Sequence, residues 1–151
     1  MVTSQNKKSF TLVELIIVVI IVGILASLGL TQYSNVVEKS RLAEAKTRIG
    51  TMRQLAYSYY LEKGVFGTIT NEDVGVDNTC RTSDYFSYRV GITSDHLVLA
   101  ADRCTGGGKP PNVSMSKRYT YYMNYYPATT TFIWHCYYRD DNSSCFGLPA
   151  F

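Results

Sequence analysis

Four cysteines, two histidines and one carboxylate set in an apolar run are the side chains of this sequence whose types and spacing could do chemistry. The cysteines stand at 80, 104, 136 and 145, and none forms a C-x-x-C pair. His96 and His135 alone would have to complete a zinc set, so disulfide bonding in an oxidising compartment is the better reading of Cys80, Cys104, Cys136 and Cys145. Three pairings are open. We expect Cys80 with Cys104 and Cys136 with Cys145, the latter closing the loop "CYYRDDNSSC" off the end of a strand. No metal is expected, the alternative being calcium on Asp140, Asp141 and Asn142; that ion takes about six to eight oxygens, and the same residues are ordinary turn formers.

Nothing here assembles into a catalytic constellation. His96 and His135 are isolated in strand patterns, and no G-x-S-x-G, H-E-x-x-H or P-loop occurs. Gly106 to Gly108 precede Lys109 as in a phosphate-binding loop, but the chain then enters Pro110 and Pro111 instead of a helix, so no amide cradle forms. Arg118 beside "YTYYMNYY" and Arg139 after "YY" combine charge with rings, as single-strand nucleic-acid binders do. Thirteen tyrosines on alternating strands nevertheless place about half their rings on a packed face, and no basic stripe concentrates the charge. The formal charge of +3 names no partner, because Lys7 and Lys8 supply two of the positive charges in a short leader. We expect no enzyme, no cofactor and no nucleic-acid partner.

The remaining group is Glu14, near the start of "KKSFTLVELIIVVIIVGILASLGL". From Phe10 to Leu30 the polar side chains are Thr11, Glu14 and Ser27, and at ~1.5 Å per residue this stretch reaches roughly 32 Å, enough to cross a bilayer. A secretory signal peptide has a shorter apolar core and a turn-rich processing segment; here the helical pattern runs on past Leu30. Lys7 and Lys8 in front leave the N-terminus in the cytoplasm and send the rest across.

Beyond the apolar half the pattern becomes one-sided. Leu42, Ala45, Ile49, Met52, Ala56 and Tyr59 recur at steps of three and four, with Lys39, Glu44, Lys46, Arg48 and Arg53 on other faces. No proline occurs before Pro110 and Gly64 is a suitable C-cap, so one helix is predicted over 10–63. Residues 64–79 read as a glycine-rich loop, and strands are predicted at 85–92, 96–101, 119–126 and 130–138. The fold class is therefore α+β: a long N-terminal α-helix, membrane-spanning then amphipathic, packed against a C-terminal antiparallel β-sheet. The expected segments are a cytoplasmic leader over 1–9, a transmembrane and assembly half-helix over 10–30, an amphipathic half-helix over 31–63, and a loop plus sheet with a C-terminal cysteine loop over 64–151. Residues 31–151 form one globular domain in this division.

The run "KSFTLVELIIVVIIVGILASLGL", with its basic leader and its Phe-Thr-Leu-x-Glu start, closely resembles the N-terminus of type IV pilins and of the pseudopilins of type II secretion systems. The resemblance implies a prepilin peptidase that cuts between Ser9 and Phe10 and methylates the new Phe10 amine. Lys7 and Lys8 then serve leader recognition, and Glu14 matches the family's glutamate, with a role in assembly. Most relatives carry Gly in place of Ser9, and many carry Pro in place of Thr31. The function implied is that of a structural subunit stored as a single-pass protein in the inner membrane, C-terminal domain outside the cytoplasm. Inner-membrane machinery then assembles it through its helix into a homo-oligomeric helical filament, an extracellular pilus or, alternatively, a periplasmic pseudopilus. Membrane lipid is its partner before assembly. A single-pass membrane-anchored binding protein is the alternative of another class.

Overall fold

The computed structural model describes residues 10–111 and 118–150, except for the side chains of 30–32 and 35. One helix, α1 (Leu12–Lys63), precedes four strands: β1 (Phe86–Ile92), β2 (Leu97–Arg103), β3 (Tyr119–Tyr126) and β4 (Thr131–Tyr138). At ~1.5 Å per residue the 52 residues of α1 extend about 78 Å. Its start is set by Thr11, an N-cap in extended conformation, and its end by Gly64, whose φ of 73° and 2.8 Å bond from its amide to Tyr60 O form a left-handed cap.

The strands form an antiparallel meander in the order β1-β2-β3-β4, which agrees with the α+β reading. The alternation of pleated side chains decides which residues meet α1. Leu97, Leu99 and Ala101 of β2 lie in register with Tyr125, Met123 and Tyr121 of β3, and this face is buried in one cluster with Ala45, Ile49, Met52 and Ala56. Leu42 and Tyr59 flank that cluster, half-buried. The amphipathic stripe is thus core.

β2 continues past its expected end at Ala101 through Asp102 and Arg103, both buried. The loop between α1 and β1 covers the outer edge of β1: Tyr88 N–H donates to Asp77 O at 3.2 Å and Val90 N–H to Asn71 Oδ1 at 2.8 Å. At the opposite edge, the C-terminal segment pairs with the end of β4, Cys136 N–H donating to Pro149 O and Tyr138 N–H to Ser143 O, each at 2.9 Å. Among the described residues no segment pairs with the outer edge of the first half of β4.

Candidate functional site

Among the described residues, the N-terminal half of α1 presents a continuous run of exposed apolar side chains. The span Leu12–Gly29 is long and apolar enough to cross a membrane, and none of it is buried against the rest of the chain. Its side chains are exposed all round, whereas the second half of the same helix buries one stripe. A helix apolar on every side needs lipid or other helices as its surroundings. Gly23 and Gly29 interrupt neither the helix nor its surface, and a Cβ at either would meet open space.

Glu14 sits in the first turn of α1, where its carboxylate and Thr11 cap each other. Thr11 N–H and Oγ1–H each donate to Glu14 Oε2 at 2.9 Å, and Glu14 N–H donates back to Thr11 Oγ1 at 3.2 Å. This capping box satisfies amides that a helix start otherwise leaves unpaired. The spacing Thr-x-x-Glu is its sequence signal, which a reading of Glu14 as an assembly charge alone passes over. Phe10 stands just before the cap, 85% exposed. Ser9, Lys7 and Lys8, the remaining residues of the expected junction, lie outside the described residues.

Cys80 is bonded to Cys104 and Cys136 to Cys145, with Cα separations of 5.9 and 5.2 Å. The first bridge explains the glycine run that resembled a phosphate loop. A Cβ on Gly108 would stand 2.7 Å from both Asp84 O and Cys104 Cβ, and Gly107, at φ 76°, would bring one to 2.9 Å from Cys80 O. The glycines let the backbone pass close over the disulfide. In the second loop Asp141 Oδ1 accepts from Ser143 N–H at 2.9 Å and from its hydroxyl at 2.6 Å, while Asn142 takes a φ of 55°. Asp140, Asp141 and Asn142 thus serve a tight turn, and among the described residues no group of three or more His, Cys, Asp or Glu side chains is placed to hold a metal.

The histidines are apart in role. His96 packs its ring 5.0 Å from Tyr126 and bonds through Nδ1 to Asp95 at 2.9 Å. His135, 5% exposed, stacks on Tyr122 at 5.0 Å, and burial followed by the charge of His96 pushes its pKa down. Among the described residues no hydroxyl or free thiol is bonded to either imidazole ring.

A buried charge cluster is the feature that sequence reasoning missed. Arg103 and Glu38 have side chains with no exposure, joined by Nε to Oε2 at 3.0 Å and Nη2 to Oε1 at 3.2 Å. Arg41 and the Tyr119 hydroxyl also donate to Glu38. Arg103 Nη1 further supplies the carbonyls of Tyr85, Cys104 and Lys109. Burial raises the Glu38 pKa, but the Arg103 bonds and charge, then Arg41, outweigh it and hold the carboxyl below its usual range. The signal was geometric: the stripe Leu42, Ala45, Ile49 continued backward by one turn lands on Glu38, and the alternation Leu97, Leu99, Ala101 continued forward lands on Arg103. On the opposite sheet face Asp102 gathers Arg89 at 2.8 Å, the Thr120 hydroxyl and Arg139 at 3.6 Å. The Arg103 and Tyr119 bonds to Glu38 lock the sheet to the helix where α1 leaves its apolar half, while Asp102 ties strands to one another.

Comparison with known proteins agrees with this geometry. Residues 4–30 match the family model described as the prokaryotic N-terminal methylation motif. The fimbrial protein EcpC of Eikenella corrodens is 42% identical over 106 residues, covering 70% of this chain and 69% of its own length. The type IV major pilin protein PilA of Myxococcus xanthus is 35% identical over 69 residues, 46% of this chain and 31% of its own length. PilE of Neisseria gonorrhoeae, also a type IV major pilin, is 37% identical over 60 residues, 40% of this chain and 36% of its own length. No solved structure matches the chain significantly. With the methylation motif at its start, a bare apolar half-helix, a sheet packed on the other half and a relative aligned over most of both chains, the chain belongs to the type IV pilin family.

Proposed function

We propose that this chain is a structural subunit of a type IV pilus, held in the inner membrane by α1 and then packed through that helix into a homo-oligomeric filament. The observation that carries the reading is the apolar, unburied span Leu12–Gly29, continuous with the helical stripe that fills the sheet. Acyl chains cover that surface in the membrane. Once the subunit leaves the bilayer, only like helices packed around a common axis remove it from water. Its processing partner is a prepilin peptidase that cuts between Ser9 and Phe10, reading Lys7 and Lys8, and methylates the Phe10 amine. Inner-membrane assembly machinery is the second partner, and the C-terminal domain, 31–151, lies outside the cytoplasm. In the filament Glu14 meets the Phe10 amine of a neighbouring subunit and sets the stagger of otherwise uniform helices, because a wrong register leaves a buried charge unpaired. This reading includes no catalysis, cofactor or nucleic acid, and no observation favours a secretion pseudopilus over it.

Electron microscopy of material sheared from the native host, with mass spectrometry of its subunits, tests the proposal. Surface fibres built of this chain, with an intact mass that begins at a methylated Phe10, are the expected result. A chain that stays in the membrane as a monomer while the host makes fibres without it, or fibres whose subunits retain residues 1–9, would overturn it.

A further inference from the structure

The two edges of the sheet-bearing region carry opposite charge. On the β1 side, α1 and the loop before β1 enclose an open groove of about 990 Å³, in which Glu44, Glu72, Asp77 and Asp84 outnumber Arg48 and Arg81. Both arginines are already engaged, Arg48 donating to Gly75 O at 2.7 Å and Arg81 pairing with Asp77. Glu44 and Glu72 make no ion pair among the described residues. The groove is therefore net acidic, with the rings of Phe86 and Tyr88 as part of its wall.

On the β4 side, the same turns of α1 present the reverse. Lys46 Nζ lies 5.8 Å from the Trp134 ring centre and the Arg53 guanidinium 4.9 Å from that of Phe132. No Asp or Glu occurs from Ala45 to Leu61 or from Arg118 to Arg139, so this ridge has no carboxylate within either segment that forms it. Phe132 in this ridge is 43% exposed, on the stretch of β4 whose outer edge nothing covers among the described residues.

We infer that the Lys46–Arg53 ridge of one subunit docks into the Glu44–Glu72 groove of a second copy of this chain. The inference rests on the filament reading and specifies its lateral contact. The two surfaces differ and lie on opposite sheet edges, so the contact is head-to-tail: it cannot close a two-fold dimer, and repeated it yields a ring or an open helix. Because both surfaces sit at the same height on α1, a neighbour displaced sideways with only a small axial rise brings ridge to groove. Charge complementarity then fixes orientation, while the exposed Phe132 ring is removed from water in the contact.

Paired charge reversals in the native host, with this chain as the sole pilin copy, test the contact. Lys46→Glu with Arg53→Glu makes both edges acidic, and Glu44→Lys with Glu72→Lys leaves the groove with four cations against two carboxylates, so that both edges are basic. Each double variant should lower the yield of sheared filaments by roughly tenfold or more, since like charges face each other at every contact. Co-expression of the two should restore filaments in which both chains are found, because each then presents what the other lacks. Non-reducing peptide mapping of both disulfides and recovery in the membrane fraction establish that the variants fold. Should either double variant misfold, the single reversals Lys46→Glu and Glu72→Lys, both at exposed side chains, are scored in the same way. Normal assembly of either folded variant, or no recovery on co-expression, overturns the inference. Failure of the unsubstituted chain to form filaments would instead sink the filament reading itself.

Discussion

Arg103, the last residue of β2, donates to Glu38 of α1 across 65 positions of sequence, both side chains wholly buried. The pair ties the end of the sheet to the helix just beyond its membrane half. Removing one partner leaves a charge in a site with little water. Arg103→Met should therefore destabilise the detergent-solubilised chain by about 3 kcal/mol, the low end for a broken buried pair because Arg41 and Tyr119 still hold Glu38. Combined with Glu38→Leu, the cost should fall below the sum of the two single changes by about 1 kcal/mol, read from denaturant midpoints. Strict additivity would mean that the pair contributes nothing as a pair. Against burial, Arg103 and then Arg41 hold the folded Glu38 carboxyl below its ordinary range, so its contribution is complete above that range and is lost as pH falls through the folded pKa.

His135 gives a second, separate pH dependence. Its Nε2 faces Asn124 Nδ2 at 3.4 Å, and among the described residues neither its Nδ1 nor Asn124 Oδ1 has a hydrogen-bond partner. Burial pushes the folded pKa below 6.5, so the unfolded chain binds more protons between the two values. Stability contributed this way is full above pH 6.5 and declines as pH falls from there to the folded pKa. His135→Gln should flatten that part of a melting-temperature profile between about pH 7 and 5, leaving the Glu38 loss at lower pH intact. An unchanged slope in the variant would assign it to another group.

The longer disulfide loop should matter slightly more. Cys80 and Cys104 are 24 apart and Cys136 and Cys145 are 9 apart, so replacing each pair by serine should cost about 2 to 4 kcal/mol, with the first pair costlier by less than ~1 kcal/mol on chain entropy alone. Gly108→Ala tests the packing over the first bridge. Its added Cβ meets the Asp84 carbonyl and Cys104 at 2.7 Å, so the backbone must shift, and the variant should lose at least about 1 kcal/mol and form the Cys80–Cys104 bond more slowly on refolding. An equal melting temperature would show that the loop yields freely.

Period and punctuation made most of the architecture legible. No proline, a three-and-four stripe and Gly64 are local signals for α1, and strands rich in tyrosine and β-branched residues alternate cleanly enough to place β1 to β4 within a residue or two. The end of β2 was not legible, because Asp102 and Arg103 are polar and the rule that ends a strand at polar residues sees type without partner. Their partners are Glu38, Arg89, Thr120 and Arg139, far away in sequence. Buried ion pairs of this kind depend on register between separate elements. For the same reason the acidic groove and basic ridge, each assembled from two segments, could not be read from net charge.

Glu14 carries two separable roles in this account, and conservative variants divide them. As the second half of the capping box it needs only a hydrogen-bond acceptor, which Gln retains; as the partner of a neighbouring Phe10 amine it needs its charge. Thr11→Ala removes the cap and keeps the charge. That change should fray the first turn at a cost of about 1 kcal/mol and leave filament number within about twofold, because a helix packed among its neighbours is held by more than its cap. Glu14→Gln keeps the cap and should be inserted and cleaved before Phe10 normally, as seen by intact mass, yet yield few sheared filaments. The reverse pattern, with Glu14→Gln assembling fully and Thr11→Ala failing, would make Glu14 a helix cap and leave the stagger of the filament to the ridge-and-groove contact alone.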